Sequence, residues 1–177
     1  MKPKVVSLDL IKELRQLTSA SIANCKQVLE ETHGDLAKSQ ELLRKRGLEI
    51  AAKKQLRSAK EGRIESYIHA GSKLGVLLEI NCETDFVAKN PDFAQFVKDI
   101  AMQIAACDPA YIRAEDIPPE ILEKEKDKAA YTKQHCLMEQ PFIKDSGLLV
   151  KDYLGGIVSK VGESVVIRRY SRYKIGE

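Results

Sequence analysis

Val76-Leu77-Leu78-Glu79-Ile80-Asn81-Cys82-Glu83-Thr84-Asp85-Phe86-Val87-Ala88-Lys89-Asn90-Pro91 contains two periodicities and the switch between them. Val76 to Asn81 is apolar and partly β-branched, the composition of a strand. Asn90-Pro91 is a helix start: Asn accepts backbone N–H groups at the cap, and Pro loses nothing at the first helical position. Between the two, Phe86 follows a strand end and four polar residues. A core phenylalanine would be odd there and an exposed aromatic anchor would work, but the pattern alone equally allows Phe86 to pack under the following helix with Phe93.

Working outward, Arg63 to His69 predicts a preceding strand, and Gly71 to Gly75 the turn that joins it to the next. After Pro91, Phe93, Val97, Ile100 and Ile104 recur at helical spacing until Asp108-Pro109 closes the helix. Pro118-Pro119 opens a highly charged helix expected from Glu120 to about Gln134. Lys144-Asp145-Ser146-Gly147 reads as a turn. Val150, Leu154, Ile157, Val158 and Val161 mark a helix that Gly155-Gly156 should weaken. Ser164 to Ile175 predicts a late strand. Strands and helices without regular alternation give an α+β fold.

The N-terminal part is all helical. Ser7 is placed to cap a helix bearing Leu10, Ile11, Leu14 and Leu17. Ser21 caps a second, with Ile22, Cys25 and Leu29 as its stripe, and His33-Gly34 ends it. Asp35 caps a third, with Leu36 and Leu43 toward the core and Gly47 at the expected left-handed C-cap. Lys53, Lys54, Arg57 and Lys60 then stand among alanines, as a solvated helical linker would carry them. The expected division is a three-helix domain over 1–47, a helical linker over 48–61 and a sheet-plus-helix core over 62–177.

The 177 residues include 29 basic and 26 acidic side chains, a net charge of +3. That balance argues against a chain devoted to coating nucleic acid. No apolar run reaches the length of a membrane span, and Met1 to Leu10 lacks signal or transit character, so a cytoplasmic protein is expected. Cys25, Cys82, Cys107 and Cys136 form no CxxC pair, and His33, His69 and His135 have no ligand partner at metal spacing. Gly71-Ser72-Lys73-Leu74-Gly75 has the wrong spacing for a phosphate loop, and no Gly-Lys dipeptide exists. No catalytic residue, cofactor or metal site is expected, and nothing in the sequence proposes an enzyme.

Two segments resemble the elongation factor Ts family: Asn81 to Asn90 with Phe93, and Leu14-Arg15-Gln16-Leu17-Thr18 with Cys25-Lys26 and Leu29-Glu30. Leu137-Met138-Glu139-Gln140-Pro141-Phe142 is similar to the segment leading into that family's C-terminal module. The resemblance implies an N-terminal domain like a ubiquitin-associated domain, a linker and a dimerisation core. It implies exchange of guanine nucleotide on a partner GTPase, elongation factor Tu, with no nucleotide bound by the chain itself. Asp85 and Phe86 would enter the partner near its magnesium and nucleotide, with Thr84, Val87 and Ala88 as the neighbouring motif. Leu14, Arg15, Thr18, Ser19, Ala20, Ser21, Ile22 and Cys25 would dock the N-terminal domain.

Longer members carry two copies of the core module, and this chain has room for about one. A second subunit can stand in for the missing copy, so a homodimer is expected. Two other functions compete. Arg168-Arg169-Tyr170-Ser171-Arg172-Tyr173-Lys174 interleaves basic and aromatic residues as RNA-binding or ribosome-associated proteins do, although a half-buried strand with solvated charges has the same pattern. A peptide-binding adaptor could be built on the three-helix domain, but it would give Thr84 to Ala88 nothing to do.

Overall fold

The computed structural model describes residues 6–18, 20–54 and 59–177, with 48–54 described as backbone alone. The expectations at Ser19, at the side chains of Lys53 and Lys54, and at Arg57 lie outside the described residues.

Helices α1 (Leu8–Thr18), α2 (Ile22–Glu31) and α3 (Leu36–Lys54) begin at the three expected caps. Ser7 Oγ accepts the Leu10 N–H at 3.2 Å, Ser21 Oγ that of Asn24 at 3.2 Å, and Asp35 Oδ1 that of Lys38 at 3.0 Å. Ile11, Leu14, Ala20, Cys25, Val28 and Leu29 fill the core they share. Leu17, at helical spacing with the core residues, is not in it, and neither is Ile22, expected to dock: each is 58% exposed. They flank the turn between α1 and α2.

Gly47 does not end α3, which continues to Lys54. Its role is close approach. A Cβ at Gly47 would lie 2.9 Å from Ser159 Oγ and 3.2 Å from the Gly155 carbonyl oxygen. Both partners sit on a later helix, α8, and Gly155 is buried there rather than simply weakening it. Arg44 reinforces the crossing with a 2.9 Å ion pair to the buried carboxylate of Asp152.

Strands β1 (Glu61–Ile68) and β2 (Leu74–Cys82) form an antiparallel hairpin turned at Gly71 and Ser72, both at positive φ. A short helix, α4 (Asp85–Ala88), comes next, then α5 (Pro91–Cys107). Asn90 Oδ1 caps α5 by accepting the Asp92 and Phe93 N–H groups, and Asp108 closes it in the left-handed conformation. The charged segment expected as one helix is two, α6 (Pro119–Lys124) and α7 (Lys128–His135). Asp127 causes the break: its carboxylate takes the Ala130 N–H at 2.9 Å and caps α7 instead of continuing a helix.

Strands β3 (Pro141–Phe142) and β4 (Asp145–Leu149) make a small hairpin that was expected only as a turn. The chain reverses at Ile143-Lys144, ahead of the expected position, where Lys144 reaches Asp99 on α5 at 2.7 Å. Helix α8 (Val150–Val161) and strand β5 (Val165–Lys174) complete the chain.

The main sheet has the order β1-β2-β5, all antiparallel, with Arg168 as the extra residue of a bulge opposite Glu79 and Ile80. Strand alternation sends Val76, Leu78, Ile80 and Cys82 to one face. There they meet Phe93, Phe96, Val97, Ile100 and Ile104 of α5, and Leu154 and Val158 of α8. Each of the larger side chains contributes roughly 2 kcal/mol by burial. Gln103 and Gln140 strap the segment after α7 to α5 through a buried 3.2 Å hydrogen bond.

Among the described residues nothing covers the opposite face of the sheet. Register places Ile64, Ser66, Ile68, Leu77 and Tyr173 on it, and Ile64, Ile68, Leu77 and Tyr173 are each more than half exposed.

Candidate functional site

Phe86 is 83% exposed, while Phe93 is fully buried, so the two rings do not pack together. The local structure explains the difference. Thr84 begins α4 in an extended conformation, and its hydroxyl accepts the Val87 N–H at 3.5 Å. In the single turn that follows, Val87 and Ala88 face the core and are buried. Phe86 therefore points outward.

Asp85 lies beside it and pairs with Lys89 at 2.7 Å, one helical turn on. The Lys89 ammonium holds the Asp85 carboxyl below the usual carboxylate range. This pair is at the surface and adds little to stability. Behind the turn, Cys82 Sγ donates to the Thr84 carbonyl at 3.2 Å. Burial pushes this thiol up to about 11, which leaves it an unreactive packing group.

Thr84 is held from the other side as well. Its N–H donates to Glu163 Oε2 at 3.0 Å and its hydroxyl to Glu163 Oε1 at 2.6 Å. Nothing in the sequence pattern pointed to Glu163, which follows Gly162 at the end of α8.

The residues expected to dock through the N-terminal helices divide by burial. Leu14, Ala20 and Cys25 are core residues of the helical unit. Arg15, Ser21 and Ile22 face solvent, and Ser21 is occupied as the α2 cap. The Thr18 hydroxyl donates to the Leu14 carbonyl at 2.7 Å and shapes the turn. Leu17, expected in the core, adds a second exposed apolar side chain beside Ile22. The sequence signal that could have found it is its position at the last turn of a short helix.

The basic strand β5 is largely neutralised within the chain. Arg169 pairs with Glu79 at 2.6 Å, and Arg172 with Asp108 at 3.2 Å and Glu177 at 3.0 Å. The Tyr170 hydroxyl donates to the Pro109 carbonyl on the inner side. These pairs leave few free charges for a phosphate backbone. Among the described residues no cluster of His, Cys, Asp and Glu could hold a metal ion, and no helix is long and apolar enough to cross a membrane.

Among the described residues, Phe86 is thus a projecting ring on an anchored turn. Comparison with known proteins makes this specific. The family described as Elongation factor TS matches residues 4–135. "Elongation factor Ts" of Carboxydothermus hydrogenoformans is 46% identical, aligned over 98% of this chain and 90% of its own length. That of Caldanaerobacter subterraneus is 45% identical over 98% of both chains. That of Desulforamulus reducens is 46% identical over 97% of this chain and 90% of its own. The chain belongs to the elongation factor Ts family, and its work is in translation elongation.

Proposed function

We propose that the chain is a guanine-nucleotide exchange factor for elongation factor Tu. The observation that carries this reading is Phe86, an aromatic ring 83% exposed on a turn whose Val87 and Ala88 side chains are anchored in the core. A ring so held can displace groups of a partner rather than fold back against its own chain. Mg²⁺ requires near-ideal octahedral geometry, so small displacements around it loosen a bound diphosphate. Asp85, adjacent and anionic, would repel phosphate or compete near the metal.

Linkage sets the thermodynamics. If the factor weakens nucleotide binding, nucleotide weakens factor binding by the same ratio. A single coupling is ordinarily about 1–3 kcal/mol. Releasing a tightly held nucleotide needs several contacts at once. The helical unit over 1–47 would supply one set through the α1–α2 turn and Ile22, and the core over 62–177 another through Phe86. GTP then displaces the factor, and no bond in the factor is made or broken. The chain binds no nucleotide itself and acts in the cytoplasm.

Release of fluorescent GDP from purified elongation factor Tu should accelerate on adding the protein. An unchanged release rate, or tight GDP binding by this chain in equilibrium dialysis, rejects the reading.

The open sheet face favours a homodimer. Ile64, Ile68, Leu77 and Tyr173 are each more than half exposed and lie together on one face, where a monomer scatters its exposed apolar residues singly. Two copies related by a two-fold axis would cover the same patch on each other. Sedimentation equilibrium at tens of micromolar should give a mass above the 19.8 kDa of one chain, and Leu77→Asp should return it to one chain. A parent that sediments as a single chain removes the dimer from the proposal.

A further inference from the structure

The loop that carries Phe86 is clasped by a distant turn, and the clasp is reciprocal. On one side, Thr84 donates its N–H and its hydroxyl to the two oxygens of Glu163, at 3.0 and 2.6 Å. On the other, the Ser164 N–H donates to Glu83 Oε1 at 2.7 Å. Residues 83–84 thereby hold residues 163–164 through two carboxylates and two backbone N–H groups. Bonds of this kind to ionised groups are shorter and stronger than neutral ones, and a two-point contact fixes orientation as well as distance.

The turn that supplies Glu163 is itself anchored. Gly162, in the left-handed conformation, ends α8 and donates its N–H to the Val158 carbonyl. Helix α8 is the element against which α3 packs at Gly47. Thr84 in turn starts α4, two residues before Phe86.

We propose that Glu163 is a positioning residue for nucleotide exchange: by gripping Thr84 at two points it fixes the direction in which Phe86 projects. This rests on the reading of Phe86 as the group that opens the partner's nucleotide site. A ring on an unclasped loop still reaches the partner, but the loop bends back when the ring meets resistance. Docking is then nearly preserved while displacement of the partner's groups is lost. Glu163 touches neither nucleotide nor partner in this account and acts only through Thr84.

The test is stopped-flow release of fluorescent GDP from elongation factor Tu at saturating full-length factor. Affinity for nucleotide-free elongation factor Tu and thermal unfolding are measured alongside. Glu163→Ala and Thr84→Val should each lower the saturating rate about tenfold, the loss expected when a charge-assisted hydrogen bond is removed. Affinity should change by less than about threefold, since a group that acts after docking alters the maximal rate rather than binding. The double variant should be faster than the product of the two single losses, because both break the same Glu163–Thr84 contact and only the Val87 cap, lost in Thr84→Val, adds to it. Glu163→Gln should restore most of the rate, since its amide can still take the Thr84 N–H and donate to the hydroxyl.

Phe86→Ala separates the two readings. If it is slow while Glu163→Ala is as fast as the parent, the positioning role is wrong and the Phe86 reading stands. If Phe86→Ala releases GDP at the parental rate, both are wrong. Additive losses in the double variant, or a Glu163→Gln variant as slow as Glu163→Ala, also overturn the proposal, because they assign Glu163 an effect independent of its grip on Thr84.

Discussion

Phe86→Ala should slow the maximal GDP release that the protein induces in elongation factor Tu about 30-fold, the equivalent of the roughly 2 kcal/mol that truncating an interface aromatic costs. The thermal midpoint should not move, because an 83% exposed ring contributes almost nothing to the chain's own core. The two measurements separate a working group from a packing one. A ring that displaces partner groups after docking alters the rate at saturation. A ring that only adheres alters affinity and leaves that rate alone. Asp85→Ala should be milder if the carboxylate only orders the loop through Lys89, and comparable if it acts at the partner's phosphate or metal. Should Phe86→Ala unfold several degrees early and still release GDP at the parental maximum, Phe86 is a structural residue and the mechanism is wrong.

The largest loss of stability is expected at Asp99. Its carboxylate is 5% exposed and lies at the meeting point of three elements. It accepts from Lys144 at 2.7 Å, from Gln95 at 2.8 Å and from the Tyr153 hydroxyl at 2.9 Å. The Tyr153 ring also stacks on Phe142 with centroids 4.7 Å apart and meets Phe96 edge-on at 5.0 Å. Burial and the neighbouring Asp99 carboxylate both push the Tyr153 hydroxyl up. Asp99→Ala leaves that hydroxyl without its acceptor in a half-buried site. Breaking a buried pair costs about 3–5 kcal/mol, and the half-exposed Lys144 can recover hydration, so about 2–3 kcal/mol is expected here. For a chain of this size that lowers the midpoint by roughly 5–10 °C. Asp99→Asn keeps the shape and one acceptor oxygen, and should cost less. A midpoint for Asp99→Ala within about 1 °C of the parent would show that the carboxylate is not a structural hub.

Local chemistry was legible in the sequence where one residue type serves one purpose. Asn90-Pro91 could only be a helix start, and the Ser7, Ser21 and Asp35 caps each stand where an exposed N–H needs an acceptor. The strand and hairpin readings succeeded for the same reason, since Gly71 and the alternation of Val76, Leu78 and Ile80 have few other uses. Gly47 misled because glycine has two uses. It permits a left-handed cap and it permits close approach, and only the later helix reveals which applies. The Asp127 break went unread because a charged run with good helix formers hides a cap within it. The polar residues ahead of Phe86 left its ring equally free to project or to pack with Phe93, and only the family resemblance favoured exposure. The Glu163 clasp could not be inferred, because an isolated Glu after Gly162 has no local signature and its partner lies 79 positions away.

The crossing of α3 and α8 acts as a gauge. Where Gly47 meets the Gly155 carbonyl, no long side chain lies between the backbones to take up slack. A helix turns about 100° per residue, so one residue added to α3 before Gly47 would swing Ile22 and the α1–α2 turn around the helix axis. Changes in length within this fold should therefore be refused between residues 36 and 47, whatever the amino acids inserted.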